Sequence, residues 1–225
     1  MITQKNLIYK MKRDSFEDAR CISLPIFDLN NKKIGKLIPV GKWILSQKNK
    51  IENLTSWRGE NMKFFFSQFK SNYERTIWYI KNLSIEKENR IFFLIYTTND
   101  EMIGHIGLAD IESNFGVLDN MIRGKETGDA KLIYYSMITI INWFFKEFNI
   151  KNLYGKIISY NWLTISLHEE IGFRIIEKIP LKKIQENDEI CHKSVNSSES
   201  NVRYFCTKML LEKIEFYKHI NWIDA

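Results

Sequence analysis

The stretch Asp119-Asn-Met-Ile-Arg-Gly-Lys-Glu-Thr-Gly-Asp-Ala-Lys131 decides the fold. It opens as an apolar strand, breaks at a basic, glycine-containing turn, and leads into an apolar run from Ala130 to Phe148 that predicts a long helix. A strand feeding a glycine loop that starts a helix is a common way to hold a phosphate. The loop amides are free, the helix N-terminus carries partial positive charge, and glycine admits the anion close to the backbone. A plain strand-to-helix connection would use the same residues, so the neighbouring chain has to discriminate.

Upstream, Arg90–Tyr96 is a continuous apolar run, the pattern of a strand buried on both faces. The turn Thr97–Glu101, with Asn99-Asp100, leads to a return strand Met102–Leu108, and a third strand follows at Phe115–Ile122. Three sequential strands predict an antiparallel meander. Downstream, a strand Leu153–Ile158 precedes a helix Asn161–Ile171 that Gly172 ends, and Phe173–Ile179 starts another strand. The long helix is apolar nearly all round, with Ile133, Met137, Ile140 and Phe144 on one side and Tyr135, Ile138 and Phe145 on another. Such a helix packs between layers.

The flanks carry weaker signals. Cys21–Val40 predicts a hairpin about Asn30-Asn31, with Pro25 and Pro39 arguing against a central place for either strand. Lys42–Phe69 is helical and polar. A short helix Ser71–Leu83 is capped by Ser71 or Asn72 and has Ile77, Trp78, Ile80 and Leu83 as its apolar face. Lys182–Asn201, with Asn196-Ser-Ser-Glu-Ser200, reads as a mobile loop. Val202–Leu211 is the last strand, and the tail to Ala225 a short helix.

A chain of 225 residues, 44% hydrophobic and 27% charged, suits one soluble globular domain spanning 1–225. The net charge of +6 favours an anionic partner. No block of five basic residues marks a nucleic-acid arm, and phosphorylated small molecules suit the charge equally well. Cys21, Cys191 and Cys206 lie far apart, against both a disulfide framework and a zinc site, and point to a reducing compartment. Lys5, Lys10, Lys12 and Arg13 interrupt the first twenty residues, so no signal-peptide core forms there. The longest uncharged run, Leu132–Phe145, is shorter than the ~20 residues of a membrane span. A cytoplasmic protein with no membrane and no metal is expected; a monomer and a homodimer both stay open.

On the helix from Asn161, the residues Asn161, Thr164 and His168 share one polar face, beside an apolar seam of Leu163, Leu167 and Ile171. A ligand groove needs such a stripe; a solvated helix capped by Asn161 would show it too.

The order of elements, with Lys125-Glu-Thr-Gly128-Asp-Ala130 after Arg123-Gly124 and then Asn161-x-x-Thr-x-x-Leu-His168-x-x-x-Gly-Phe173, resembles the GCN5-related N-acetyltransferase (GNAT) superfamily. The likeness is clear over 90–173 and weak in the flanks. It implies an α/β (α+β) fold, with a mixed, mostly antiparallel sheet flanked by helices and an extra N-terminal hairpin. Residues 21–85 would form the acceptor side, 90–173 the CoA-binding core, and 174–225 the C-terminal strands. It further implies direct transfer from acyl-CoA in a ternary complex. CoA contacts would come from Asn120, Met121, Ile122, Arg123, Gly124, Lys125, Thr127, Gly128, Asp129, Ala130 and Lys131 and from Asn161 and Thr164. A main-chain amide around Asn120–Ile122 would face the thioester oxygen.

The pattern departs in two places. Lys125 opens the loop motif, and Glu126 and Asp129 place carboxylates where a pyrophosphate would sit. His168 replaces the tyrosine that commonly protonates the thiolate, a task a protonated histidine can perform. Asp119, on the face of Val117 and Met121, stands where relatives carry an acidic base, and His105 is the second candidate.

Trp57-Arg58, Phe64-Phe65-Phe66, Gly104-His-Ile-Gly-Leu108 and Asp119-Asn-x-Ile-Arg-Gly124 look like a branch acting on amino-sugar nucleotides for surface polysaccharides. Rings stack on a base and Arg58 pairs with a diphosphate, making Trp57, Arg58, Phe65 and His105 the acceptor contacts. Two of the three phenylalanines are expected in the core. Members of that branch carry acetyl or larger groups, including 3-hydroxybutyryl, onto a dTDP-3-amino-3,6-dideoxyhexose. Two rival readings stay open. One is an acetyltransferase for a protein N-terminus or an antibiotic; the other is a non-catalytic CoA-binding protein.

Overall fold

The computed structural model describes residues 4–220. Two short helices open the chain, α1 (Gln4–Met11) and α2 (Phe16–Cys21), the second capped by the Ser15 side chain on the amide of Asp18. The expected hairpin follows as β1 (Leu24–Phe27) and β2 (Lys33–Pro39), with Asn31 in the left-handed region at φ 56°. Asp28 Oδ1 accepts from the amides of Asn30 and Lys32 and so shapes the turn. β1 is an edge strand. β2 is not: it pairs with β1 on one side and β4 on the other, and Pro39 is tolerated because it is the last residue of the strand.

The stretch expected as one polar helix breaks into four pieces. They are a 3₁₀ turn Lys42–Ser46, helix α3 (Lys48–Glu60), a 3₁₀ turn Met62–Phe64 and the two-residue strand β3 (Ser67–Gln68). Helix α4 (Tyr73–Trp78) is capped by Asn72 and runs on as a π-helix, Tyr79–Ile85. The meander is present as β4 (Ile91–Thr97), β5 (Met102–Ala109) and β6 (Phe115–Arg123). Helix α5 spans Leu132–Glu147, and β7 (Asn152–Ile158) returns parallel to β6. Then come α6 (Trp162–Ile171), β8 (Arg174–Glu186), β9 (Glu189–Ser194), β10 (Phe205–Glu212) and α7 (Lys213–His219). The remainder of the expected tail helix, 221–225, lies outside the described residues.

The strands form one sheet in the order β1-β2-β4-β5-β6-β7-β10-β8-β9-β3, antiparallel except at β6–β7. Its apolar centre is explained by two cores, one on each face. Ile91, Phe93 and Ile95 of β4 point into the core shared with α1, α5 and α7; Phe92, Leu94 and Tyr96 point into the one shared with α2 and α3. Helix α5 lies between layers as expected, its Phe145 ring 5.6 Å from that of Phe216 on α7. No helix among the described residues is long and apolar enough to cross a membrane.

Residues 182–201 overturn the expectation of a mobile loop. Most of them form the β8–β9 hairpin, turning at Asn187 (φ 54°), followed by a 3₁₀ turn Ser197–Glu199 with a capping box. The strands are solvated on much of their surface, so the pattern lacks the apolar alternation by which strands are recognised.

Candidate functional site

Parallel pairing of β6 with β7 runs from Phe115↔Asn152 to Leu118↔Gly155 and stops. Beyond it a groove of about 630 Å³ opens between the two strands. Asp119–Arg123 form one wall, Lys156, Ile157 and the start of α6 the other, and the start of α5 closes one end. Across β6 the register with β5 gains a residue, since Gly107 faces Asp119 while His105 faces Ile122. Asn120, at φ 55°, sits in this bulge. A bulge withdraws main-chain groups from the ladder, and simple alternation of side chains does not hold across it. The face expected to unite Asp119 with Met121 is interrupted there.

The loop after β6 is organised by Arg123. Its guanidinium donates to the carbonyls of Lys125 (3.0 Å), Glu126 (3.1 Å) and Ala130 (2.8 Å), drawing the loop's carbonyls around itself. Asp129 Oδ1 accepts from the amide of Lys131 at 2.8 Å, and the Asp129 carbonyl from that of Leu132, which delays the helix from Ala130 to Leu132. This turns one of the two awkward carboxylates onto the backbone. Lys125 pairs with Glu101 at 2.9 Å. The amides of Gly124 and Lys125 bond to the Ile103 carbonyl, and a Cβ at Gly124 would lie 1.9 Å from the Trp57 ring. Of the loop residues expected at CoA, Asn120, Met121, Ile122, Arg123, Ala130 and Lys131 line the groove, whereas Gly124, Lys125, Thr127, Gly128 and Asp129 do not.

On α6, Asn161 caps the helix by accepting from the Thr164 amide, and both residues line the groove. The expected apolar seam is broken, because Leu163 is 66% exposed. His168 is buried, its Nδ1–H donating to the Thr164 carbonyl at 2.8 Å and its ring packed on Phe173. Burial pulls its pKa down to about 4. A neutral imidazole with its one N–H given to a carbonyl has only a lone pair to offer at Nε2. The ring also lines the groove, as a neutral imidazole rather than one already protonated.

A second cavity, of about 640 Å³, lies beneath α3 and α4. Arg58 stacks on Phe65, its guanidinium carbon 3.2 Å from the ring centre, and donates to the Ser67 carbonyl at 3.1 Å. Among the described residues it has no carboxylate partner. Desolvation pulls its pKa down to about 10. Phe64, Phe65 and Phe66 are all half-buried; Phe65 packs on the edge of the core under α3, and Phe65 and Phe66 line the cavity. Trp57 lies apart from it, buried against Gly124 and 6.4 Å from the His105 ring. His105 does line it, buried and neutral. Its Nδ1–H donates to the Asn120 carbonyl at 2.7 Å, and burial lowers its pKa to about 4.

The two spaces meet at Phe65, Phe66, Arg90, Asp119 and Asn120, which line both. Arg90 stands 3.4 Å from Asp119. The Asp119 side chain keeps 40% of its surface open on that junction, while packed protein on its other sides raises the carboxyl pKa and Arg90 opposes the rise. The β8–β9 hairpin supplies part of the wall of this second cavity. Glu189 pairs with Arg75 there, and the His192 amide and ring both donate to the Phe66 carbonyl at 2.8 and 2.9 Å. Tyr79, Arg90, Arg75 and Glu189 are site residues that the sequence did not single out. Only the shape of the fold brings them together.

The comparisons agree with this architecture. The family model described as an acetyltransferase (GNAT) domain matches residues 46–195. Curated protein sequences return no match. The fold is similar to that of FdhC, described as a nucleotide-linked sugar GNAT, at TM-score 0.58 and 14% identity over 85% of this chain and 93% of the other. It is also similar to RimL, a ribosomal L7/L12 α-N-protein acetyltransferase, at TM-score 0.64 and 11% identity over 84% and 93%. Vibrio cholerae spermidine N-acetyltransferase, solved with CoA and spermine, gives TM-score 0.59 and 13% identity over 80% and 96%. With a splayed β6–β7 pair, a bulged β6 and a match over two thirds of its length, the chain belongs to the GNAT acetyltransferase family and is an acyl-CoA-dependent N-acyltransferase.

Proposed function

We propose that this enzyme acylates the amine of a nucleotide-linked amino sugar for surface-polysaccharide biosynthesis. A dTDP-amino-dideoxyhexose is the preferred acceptor, and the acyl group is acetyl or larger, such as 3-hydroxybutyryl. The observation that carries the acceptor is Arg58. In the cavity Glu189 is matched by Arg75 and Asp119 by Arg90, which leaves the desolvated Arg58 guanidinium with no carboxylate in contact and only the charge of Asp119 acting on it from beyond ion-pair distance. A diphosphate supplies a contacting anion, and the surrounding rings stack on a base. A polyamine would bring more positive charge to a positive site.

The groove suits CoA. The β6 edge from Asp119 to Arg123 has no β7 partner and can bond an extended, amide-bearing arm, held from the far wall by Asn161 and Thr164. Ala130, Lys131 and the start of the 16-residue α5 present positive potential to the pyrophosphate, on a loop that Arg123 shapes. Bound acyl-CoA supplies the activated thioester carbonyl. Asp119 takes the proton of the acceptor's ammonium, its raised pKa suiting it to that exchange. A main-chain amide of the bulge, within Asn120–Ile122, donates to the carbonyl oxygen as charge develops. His105 holds the bulge through the Asn120 carbonyl and is a positioning residue. His168 is given no proton transfer.

The test is a panel of dTDP- and UDP-amino sugars, spermidine and an N-terminal peptide, each with acetyl-CoA and 3-hydroxybutyryl-CoA, read by thiol release. Turnover confined to the nucleotide sugars is expected. Turnover of spermidine or peptide with none on any sugar overturns the acceptor.

A further inference from the structure

At the floor of the acceptor cavity stands a residue that neither motif contains. Tyr79 is the first residue of the π-helical segment and lines the cavity with its half-buried ring. A π turn departs from ordinary helical spacing and is frequent at functional sites. The Tyr79 hydroxyl oxygen accepts two hydrogen bonds, from Arg90 Nη1 at 3.0 Å and from Asn120 Nδ2 at 2.7 Å. A phenolic oxygen has a limited acceptor capacity, and two charged or amide donors fill it. Its own hydrogen therefore has to be given to a third atom.

The two donors tie the hydroxyl to the junction of the two spaces. Arg90 continues to Asp119, 3.4 Å away, and Asn120 is the left-handed bulge residue whose carbonyl is held by His105. A continuous chain thus runs His105–Asn120–Tyr79–Arg90–Asp119, with the Tyr79 hydroxyl one guanidinium's width from the carboxylate. Both groups sit on one guanidinium, the carboxylate on Nη2 and the phenol on Nη1. The same burial that lines the cavity raises the phenol's pKa, so the proton stays on the oxygen through the neutral range.

We propose that Tyr79 is a specificity-determining residue, whose hydroxyl donates to an oxygen on the carbon beside the acceptor's amine and so selects 1,2-amino alcohols. This rests on the assignment of the acceptor to this cavity, and it adds a rule about the acceptor's own structure: a free oxygen next to the nitrogen. Plain alkyl amines lack that oxygen.

The experiment pairs acceptors that differ only in that oxygen, an amino-sugar nucleotide and its analogue deoxygenated beside the amine, with wild type and Tyr79→Phe. In wild type, kcat/KM is expected to favour the hydroxyl-bearing acceptor by roughly 10- to 100-fold. Tyr79→Phe also frees Arg90 and Asn120, so both acceptors lose a shared factor, but the ratio of their kcat/KM values should collapse from that preference to about one. The acetyl-CoA Kd, measured by calorimetry, should not change and confirms that the variant is folded. Equal losses on both acceptors assign Tyr79 a structural role and overturn the proposal, as does no loss on either. If nucleotide sugars are inert, the same comparison on 2-aminoethanol-type and alkylamine acceptors decides it. Discrimination that vanishes in Tyr79→Phe then keeps Tyr79 as the reader while the nucleotide-sugar assignment falls, and no discrimination overturns both.

Discussion

Arg90 and Asp119 face each other across 3.4 Å at the point where the groove beside β6 opens into the second cavity. In the proposed function the pair makes Asp119, as base, tunable from one side. Asp119→Asn removes the proton acceptor and should lower kcat by roughly 10²- to 10⁴-fold while KM for acetyl-CoA changes little. Arg90→Gln keeps the carboxylate but removes the cation that holds its pKa down. The acid limb of kcat/KM should then move to higher pH. A limb that stays in place in Arg90→Gln, or full turnover in Asp119→Asn, removes Asp119 from the role.

Arg58 separates binding from stability. Its charge is desolvated and bonds only to a carbonyl and rings, with Tyr79 and Asp119 acting on it electrostatically. Arg58→Met keeps much of the stem's packing and ends the desolvation cost, so thermal stability should hold or rise slightly. The acceptor KM should nevertheless rise by roughly 10- to 100-fold, the worth of a charge-assisted bond of about 1.5–3 kcal/mol. An unchanged KM would mean that no anion sits there.

Gly124 belongs to the motif loop, yet its constraint comes from packing. A Cβ would fall 1.9 Å from the buried Trp57 ring, which cannot shift freely. Gly124→Ala should cost about 1–3 kcal/mol by overpacking. Pairing it with Trp57→Leu, which makes room, should recover part of that loss in a double-mutant cycle. Additive losses would show that the two residues do not press on each other.

These cases show what was legible in the sequence. The apolar runs of β4–β6 and α5 carried their own periodicity, so the meander and the strand-loop-helix were read correctly and placed both motifs. The acceptor cavity was less visible because its wall comes from distant segments. Glu189 reaches Arg75 from 114 residues away on a hairpin whose solvated strands hide their pattern. Phe65 and Phe66 gave an aromatic signal without saying that a cavity would receive them. The bulge at Asn120 was equally silent, since one inserted residue leaves no mark on composition. Burial of His168 was just as silent: its spacing fitted a proton donor, and only the fold shows the ring packed on Phe173 with its pKa lowered by burial.

That burial also sets how stability depends on pH. His105 and His168 both have folded-state pKa values drawn down to about 4 by desolvation. In the unfolded chain a histidine titrates near 6.5. Above that pH both states are neutral and the stability is fully present. As pH falls below it, the unfolded chain takes up protons that the folded chain refuses, so stability drops until the folded pKa is reached. Each histidine should contribute a loss on the order of 3 kcal/mol across this window. Asp119, whose pKa is raised, works in the opposite sense and softens the acidic end. Urea midpoints measured from pH 8 to 4.5 should therefore fall steeply below 6.5. His168→Gln keeps a donor for the Thr164 carbonyl without a titrating ring, so it should flatten the slope. Identical slopes in the two proteins would mean that His168 takes up its proton as readily folded as unfolded.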